Sequence, residues 1–387
     1  MGPITGDYQR FSPAEYARRH AALLELAEEA GVDTTIVWGN NNARVELQYL
    51  TAWPPRWDSF LIAGGAQPPA LRVQLFNHVP NARAMSVVED VEFAGPDAVA
   101  TVANEVRRRG TVKRAGVVGG LPYQFHRRLA EDLDPIELVD LTPAFRRRRL
   151  IKSTEEIEWT RGGARMCDAA MARLVEQARP GLRDYELAAI VEATYAPLGG
   201  QTGICFIAST PMAGGGRVVP AQVPSGRQLR PGDAILIELS AGIGGYTGQV
   251  LRTIAVAGDP PPAFRRAHDL AEAAFGAIAG AARPGTTAAQ LLEVAAMIDA
   301  AGYTVVDDVV HGYGGGYLPP VLRTPATQHG PPAQLTLASG MFIVVQPNVV
   351  SADGALGVQT GELLLITEHG AESLHSAPRG LLVAAAG

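Results

Sequence analysis

The second half of the chain carries the same run of signals twice. Ala178-Arg-Pro-Gly181 precedes a helix-like stretch ending in Pro-Leu-Gly-Gly200, and Ala282-Arg-Pro-Gly285 precedes another ending at Gly302, an offset of 104 residues. Pro231-Gly-Asp-Ala-Ile-Leu-Ile-Glu238 returns as Ser339-Gly-Met-Phe-Ile-Val-Val-Gln346, offset by 108 residues, with a polar residue six positions after Gly232 and six after Gly340. Thr247-Gly-Gln249 and Thr360-Gly-Glu362 each open an apolar strand, VLRTIAV and LLLIT. Arg-Pro-Gly and Pro-Gly-Asp alone are ordinary turn signals, but their common order and spacing mark a duplicated unit. A helix followed by a hairpin buries only one face of its sheet. Two copies stacked about a pseudo-twofold axis share a core and leave a cleft between equivalent strands, where polar residues should converge.

The first half reads differently. Ser12-Pro-Ala-Glu15 is a capping box with proline at the first helical position, followed by apolar spacing through Leu23, Leu24 and Leu26 to a stop at Gly31. Residues 34–39 (TTIVWG), 60–63 and 71–76 are short β-rich runs, residues 97–109 read as a helix and 114–119 as a further strand. This alternation predicts a small α/β domain over residues 1–150. Charge and proline interrupt the pattern in LTPAFRRRRLIKS, and Ser153-Thr-Glu-Glu156 opens a long new helix as a second capping box, so residues 151–387 hold the duplicated domain. A chain of 387 residues exceeds what one core usually supports, in keeping with two domains of a mixed α/β (α+β) fold.

Composition excludes several classes of function. The net charge of −6 repels a phosphate backbone, so no nucleic-acid partner is expected, and the basic run Arg146 to Arg149 reads as a solvated linker face. The N-terminus lacks a basic region followed by an apolar core, and no run of about 18 apolar residues occurs, which argues against secretion and membrane spanning. Cys167 and Cys205 have neither metal-type spacing nor a disulfide framework, which suits a reducing, cytoplasmic compartment.

Glu238, Gln249, Gln346 and Glu362 stand in or at the ends of strongly apolar strands, where an unpaired polar side chain costs about 1–3 kcal/mol. Their mirrored positions imply that they face one another across the cleft, although Glu238 as a buried ion-pair partner and the glutamines as strand-edge hydrogen bonders are the plainer readings. His311, in Val309-Val-His-Gly-Tyr-Gly-Gly-Gly-Tyr317, meets a glycine-rich turn with room for a ligand, and imidazole is the side chain best suited to proton transfer near neutrality. The turn is no phosphate loop, because its glycine spacing fails at Tyr317 and no lysine follows. Gln359, Arg323 and Tyr313 are further candidates to contact a substrate; Trp53, Trp57, Tyr313 and Tyr317 either line the pocket or pack beside it.

Together these segments resemble the creatinase, prolidase and aminopeptidase P family. LTPAFRRRRLIKSTEEIEWTR is similar to that family's domain junction, and PSGRQLRPGDAILIELSAGIGGYTGQVLRTIAV, HGYGGG, SGMFIVVQPNVV and GVQTGELLLITEHGAE resemble its successive active-site segments in order. The resemblance implies a creatinase-like N-terminal domain, a C-terminal "pita-bread" domain and a homodimer whose neighbour borders the cleft. Metallopeptidases of the family hold two divalent ions with two Asp, one His and two Glu. Carried over segment by segment, these positions are Glu238, Gln249, His311, Gln346 and Gly361, so one histidine is unchanged and four carboxylates become one, or two if Glu362 replaces the group lost at Gly361. Neutral amides balance paired dications poorly. The family's two auxiliary histidines fall near Ala221 and Leu318, and Arg56 aligns with an arginine of creatinase that reaches from the partner subunit to a substrate carboxylate.

The expectation from this reading is a hydrolase without metal or other cofactor, creatinase-like or ectoine-hydrolase-like, that cleaves a nonpeptide C–N bond in a small polar molecule. His311 and Glu238 would be catalytic; Gln249, Gln346, Glu362, Gln359, Arg56, Arg323 and Tyr313 would bind substrate. The alternatives are a noncatalytic binding domain, an Xaa-Pro metallopeptidase, and a lyase or cyclase.

Overall fold

The computed structural model describes residues 4, 5 and 7–384. The chain divides into two compact units, one ending at Arg149 and the other beginning at Leu150. In the first, a six-stranded sheet has the order Asp90–Phe93, Ala70–Val73, Ser59–Ala63, Thr34–Gly39, Arg114–Val118, Glu137–Asp140. The central strand Thr34–Gly39 is buried along its whole length. Its Ile36 and Trp38 pack against one apolar cluster and its Val37 against another, so a β-branched run with no polar face is what this position requires. Helix Pro13–Glu29 starts where its cap predicts, Ser12 accepting from the Glu15 amide at 3.1 Å. The run expected as a strand over 71–76 stops at Val73, because the neighbouring strand ends at its partner Ser59, and Phe76–His78 turns as a short 3-10 segment instead. The basic run is a solvated face over Arg146, Arg147 and Arg148, which are exposed, but not at Arg149. It closes helix Thr142–Arg148, which buries Phe145; Arg146 pairs with Glu46, Arg148 with Glu29, and Arg149 lies buried over the Tyr49 ring.

The second unit is built on a ten-stranded sheet, with a smaller three-stranded sheet of Tyr303–Thr304, Asn348–Ser351 and Gly357–Gln359. Its main strands are β1 (Gln201–Pro211), β2 (Asp233–Ile243), β3 (Val250–Val256), β4 (Val310–Tyr313), β5 (Tyr317–Leu322), β6 (Phe342–Val345) and β7 (Gly361–Thr367), arranged β1-β2-β3-β7-β6-β4-β5. The echoed segments occupy mirrored places about the β3/β7 boundary: β2 against β6, and β3 against β7. That boundary is narrow, with only Val250↔Glu362 and Leu251↔Gly361 in register. Each half carries a helix pair, α1 (Thr154–Gln177) with α2 (Asp184–Tyr195), and α3 (Pro262–Ala281) with α4 (Ala288–Ala300). Cys167, Leu174, Leu187 and Val191 bury Ile235, Ile237 and Leu239 of β2, while Ala271, Phe275, Leu291 and Ile298 bury Ile343 and Val345 of β6 and Leu364 of β7. Strand side chains alternate between faces. Glu238 and Gln346 therefore share the face turned away from both helix pairs.

Candidate active site

Four of the polar residues singled out from the sequence meet on that face. Gln249 donates through Nε2 to Glu238 Oε1 at 2.8 Å and to Gln346 Oε1 at 3.2 Å, and the same nitrogen lies 3.5 Å from His311 Nε2. All four are buried. His311 Nδ1 is 3.0 Å from the Gly312 carbonyl, which can only accept, so the proton sits on Nδ1 and Nε2 is left as an acceptor. The imidazole stacks on the half-exposed Tyr317 ring, with centroids 4.0 Å apart at 11°.

Burial reverses the roles expected of the two titrating groups. It pushes the His311 imidazole down to about 4, so the ring is neutral at physiological pH. It pushes the Glu238 carboxyl up to about 8, helped by the charges of Asp307 and Asp308 and opposed by the Gln249 hydrogen bond. The group poised to exchange a proton near neutrality is Glu238, not His311.

The sequence reading missed Asp307, Asp308 and Asn348. Asp308 accepts from Tyr317 Oη at 2.8 Å, its carbonyl accepts from Gln346 Nε2 at 3.4 Å, and Asp307 accepts from Asn348 Nδ2 at 3.3 Å. Burial and the adjacent Asp308 push the Asp307 carboxyl up to about 6. Asn348, a buried amide inside VVQPNVV, was open to the same rule that singled out the glutamines.

Other candidates are placed elsewhere or already engaged. Tyr313 is buried beside His311, its hydroxyl hydrogen-bonded to Thr247 Oγ1. Gln359 sits opposite Asn348 in strand register, one step beyond the cluster. Arg323 follows β5, where its backbone amide bonds Gln328, and its guanidinium has no ion pair or hydrogen bond among the described residues. Arg56 belongs to the first unit and bonds Asn41 at 3.1 Å. Glu362 corrects an expectation. Leu364 and Ile366 of its strand pack with the helix-side core, so Glu362 points to that side. There Arg252 donates to Oε1, Arg379 lies 3.3 Å from the same oxygen, and Ser373 donates to Oε2 at 2.6 Å. It cannot stand in for the group lost at Gly361, where a Cβ would lie 2.7 Å from the Val345 carbonyl oxygen and 2.9 Å from Gln346 Cα.

A family model described as metallopeptidase family M24 matches residues 158–368, and the chain belongs to that family. The Xaa-Pro dipeptidase of Pyrococcus furiosus is 26% identical over 362 residues, spanning 93% of this chain and 98% of that protein. The probable dipeptidase PepE of Mycobacterium tuberculosis is 26% identical over 385 residues, spanning 97% and 98% respectively. Among solved structures, the prolidase from Pyrococcus horikoshii OT3 superposes with a TM-score of 0.80 at 23% identity, over 94% of this chain and all of that one, a likeness of pita-bread fold. These relatives overturn the expected creatinase-like, metal-independent hydrolase of nonpeptide bonds, since the Pyrococcus furiosus protein is named an Xaa-Pro dipeptidase and the Mycobacterium tuberculosis protein a probable dipeptidase. No helix of the described residues is long and apolar enough to cross a membrane.

The donor set nevertheless departs from a two-ion centre. Of the five positions the resemblance assigns, Gln249 and Gln346 are uncharged amides, Gly361 has no side chain and no room for one, and only Glu238 and His311 keep a carboxylate or imidazole. No group of three or more His, Cys, Asp or Glu among the described residues has an arrangement that could hold an ion. Protein purified in the presence of Mn2+ is expected to retain fewer than two ions per chain by elemental analysis; two retained ions would contradict the geometry.

Proposed function

We propose that this chain is a hydrolase of short Xaa-Pro peptides. The observation that carries the reading is the match to Xaa-Pro dipeptidases over 93% of the chain and 98% of the relative, which takes in both units. The buried cluster supports it chemically. Glu238, ionised, takes a proton from water and returns it to the departing proline nitrogen, a role for which a carboxyl titrating near 8 is suited. Gln249, whose two amide hydrogens are shared among Glu238, Gln346 and His311, holds the Glu238 carboxyl in place beside the imidazole. His311, neutral and pinned by Gly312 and Tyr317, orients these amides as an acceptor.

A second reading, capture of such a peptide without turnover, is favoured by the amides at two of the family's ligand positions. Proline release from Ala-Pro, followed by chromatography with and without added Mn2+, decides between them. Release above the uncatalysed rate is expected; binding without release selects the second reading, and neither binding nor release overturns both.

A further inference from the structure

The cluster is closed to solvent. His311, Gln249 and Gln346 are 0% exposed and Glu238 4%, so nothing outside the fold reaches them in this conformation. A peptide enters only if something moves aside. Among the described residues that bond to or stack on the four, Gly312, Tyr313 and Asp308 are themselves buried, and Tyr317, at 48%, is the one that meets solvent. One face of its ring lies on the imidazole, with the planes 11° apart, and its hydroxyl donates to Asp308 Oδ1 at 2.8 Å. A stack and a single hydrogen bond hold the ring down.

The backbone that carries Tyr317 is anchored on both sides and slack between. At Gly314 a Cβ would lie 2.7 Å from Lys152 Nζ, and at Gly312 it would strike the Pro319 carbonyl, so the turn is packed tight at Gly314 and again at Pro319. Around Gly316 nothing lies within 4 Å of a Cβ position, and its φ of 120° is open to glycine and rarely to other residues. Burial falls away along the same stretch: Gly314 is buried, Gly315 half-buried, Gly316 and Tyr317 exposed. Beyond the turn, β5 is the last strand of the sheet order, so no strand on its outer side restrains it, and Pro319 and Pro320 have no partners in its register with β4. A hinge needs only a few residues that absorb a backbone change. Gly315 and Gly316 are placed to be those residues.

We propose that Tyr317 is a gate over the cluster, its ring swinging off the imidazole about Gly315 and Gly316 to uncover the path to His311. The hydrogen bond to Asp308 is its latch. The gate rests on the Xaa-Pro reading only for what enters; its opening is a property of the protein without substrate.

Diethyl pyrocarbonate, which acylates imidazole, reports that opening on the full-length protein with no peptide present. Acylation of each histidine is followed by peptide mass spectrometry, with exposed His329 and buried His268 as references. His311 of the wild type is expected to react more slowly than His329, at a rate that urea below the unfolding transition leaves unchanged, because a swinging ring exposes little surface. His268 should react only with unfolding, faster as urea rises. Tyr317→Phe, which keeps the stack and drops the latch, is expected to speed acylation of His311 about fivefold, the worth of one hydrogen bond. Tyr317→Ala is expected to speed it about tenfold or more, as stack and bond are lost together. His268 should be unaffected in both variants. A wild-type His311 whose reactivity tracks that of His268 through the urea series overturns the gate, since the site then opens only by unfolding. Equal His311 rates in the wild type and both variants overturn it as well. If Tyr317→Ala fails to fold, the wild-type urea series and Tyr317→Phe still decide. Absence of proline release from Ala-Pro would overturn the proposed reaction and leave the gate standing.

Discussion

Arg252→Met is expected to destabilise the protein by about 3–5 kcal/mol, the cost of breaking one side of a buried ion pair. Arg252 is fully buried in the second unit and spends its guanidinium on five acceptors: the carbonyls of Leu251, Gly361, Ala377 and Pro378 and the Glu362 carboxylate. Two of these, Gly361 and Glu362, are the β7 residues that register with β3 across the narrow boundary between the duplicated halves. The side chain thus fastens one half-sheet to the other where the backbone ladder is shortest. Methionine fills much of the volume but leaves Glu362 with Arg379 and Ser373 alone and strands several carbonyls. Chemical denaturation of the wild type, of Arg252→Met and of the double variant Arg252→Met/Glu362→Met would measure the effect. The double variant is expected to recover much of the loss, since removing both charges leaves neither uncompensated. A single variant within 1 kcal/mol of the wild type would show that the pair does not hold the halves together.

How far the sequence led, and where it stopped, follows from the same parity. Repeated turn signals fixed the mirrored strands because glycine and proline act locally: Gly232 and Gly340 both take positive φ just before β2 and β6, and the caps at Ser12 and Ser153 open their helices as expected. Glu238, Gln249, His311 and Gln346 were legible because polar side chains in apolar strands are costly unless they converge. Glu362 obeyed the same rule and misled, because a polar residue in a strand is paid out to whichever face its parity selects, and position 362 faces the helices. Asp307 and Asp308 were invisible for the opposite reason. Two acidic residues in a polar turn carry no mark of burial until the chain folds the turn onto β4. The titration order was equally out of reach, since the usual ranking of imidazole and carboxyl inverts only when both are enclosed.

The inverted ranking makes Glu238 the residue with the largest expected effect on turnover. Glu238→Gln keeps the acceptor for Gln249 Nε2 and the size of the side chain, and removes the carboxyl that burial pushes up to about 8. Loss of a general base typically lowers the rate 10²- to 10⁴-fold, and Ala-Pro turnover by this variant is expected to fall in that range. In the wild type kcat/KM should rise with pH through a value near 8, where Glu238 becomes ionised in the free enzyme; the glutamine variant should show no such limb. Stability should move in the opposite direction. The folded pKa of Glu238 stands above its ordinary value of 4.5, so between about 4.5 and 8 the native state holds a proton that the unfolded chain has released, and stability falls as pH rises through that window. The slope approaches about 1.4 kcal/mol per pH unit for one such group, and glutamine, which has nothing to ionise, abolishes this contribution. Denaturation midpoints of the two proteins should therefore diverge from pH 5 to pH 8, with the inactive variant the more stable at the alkaline end. Parallel curves would place the Glu238 charge in water, and an active glutamine variant would move the base to another residue.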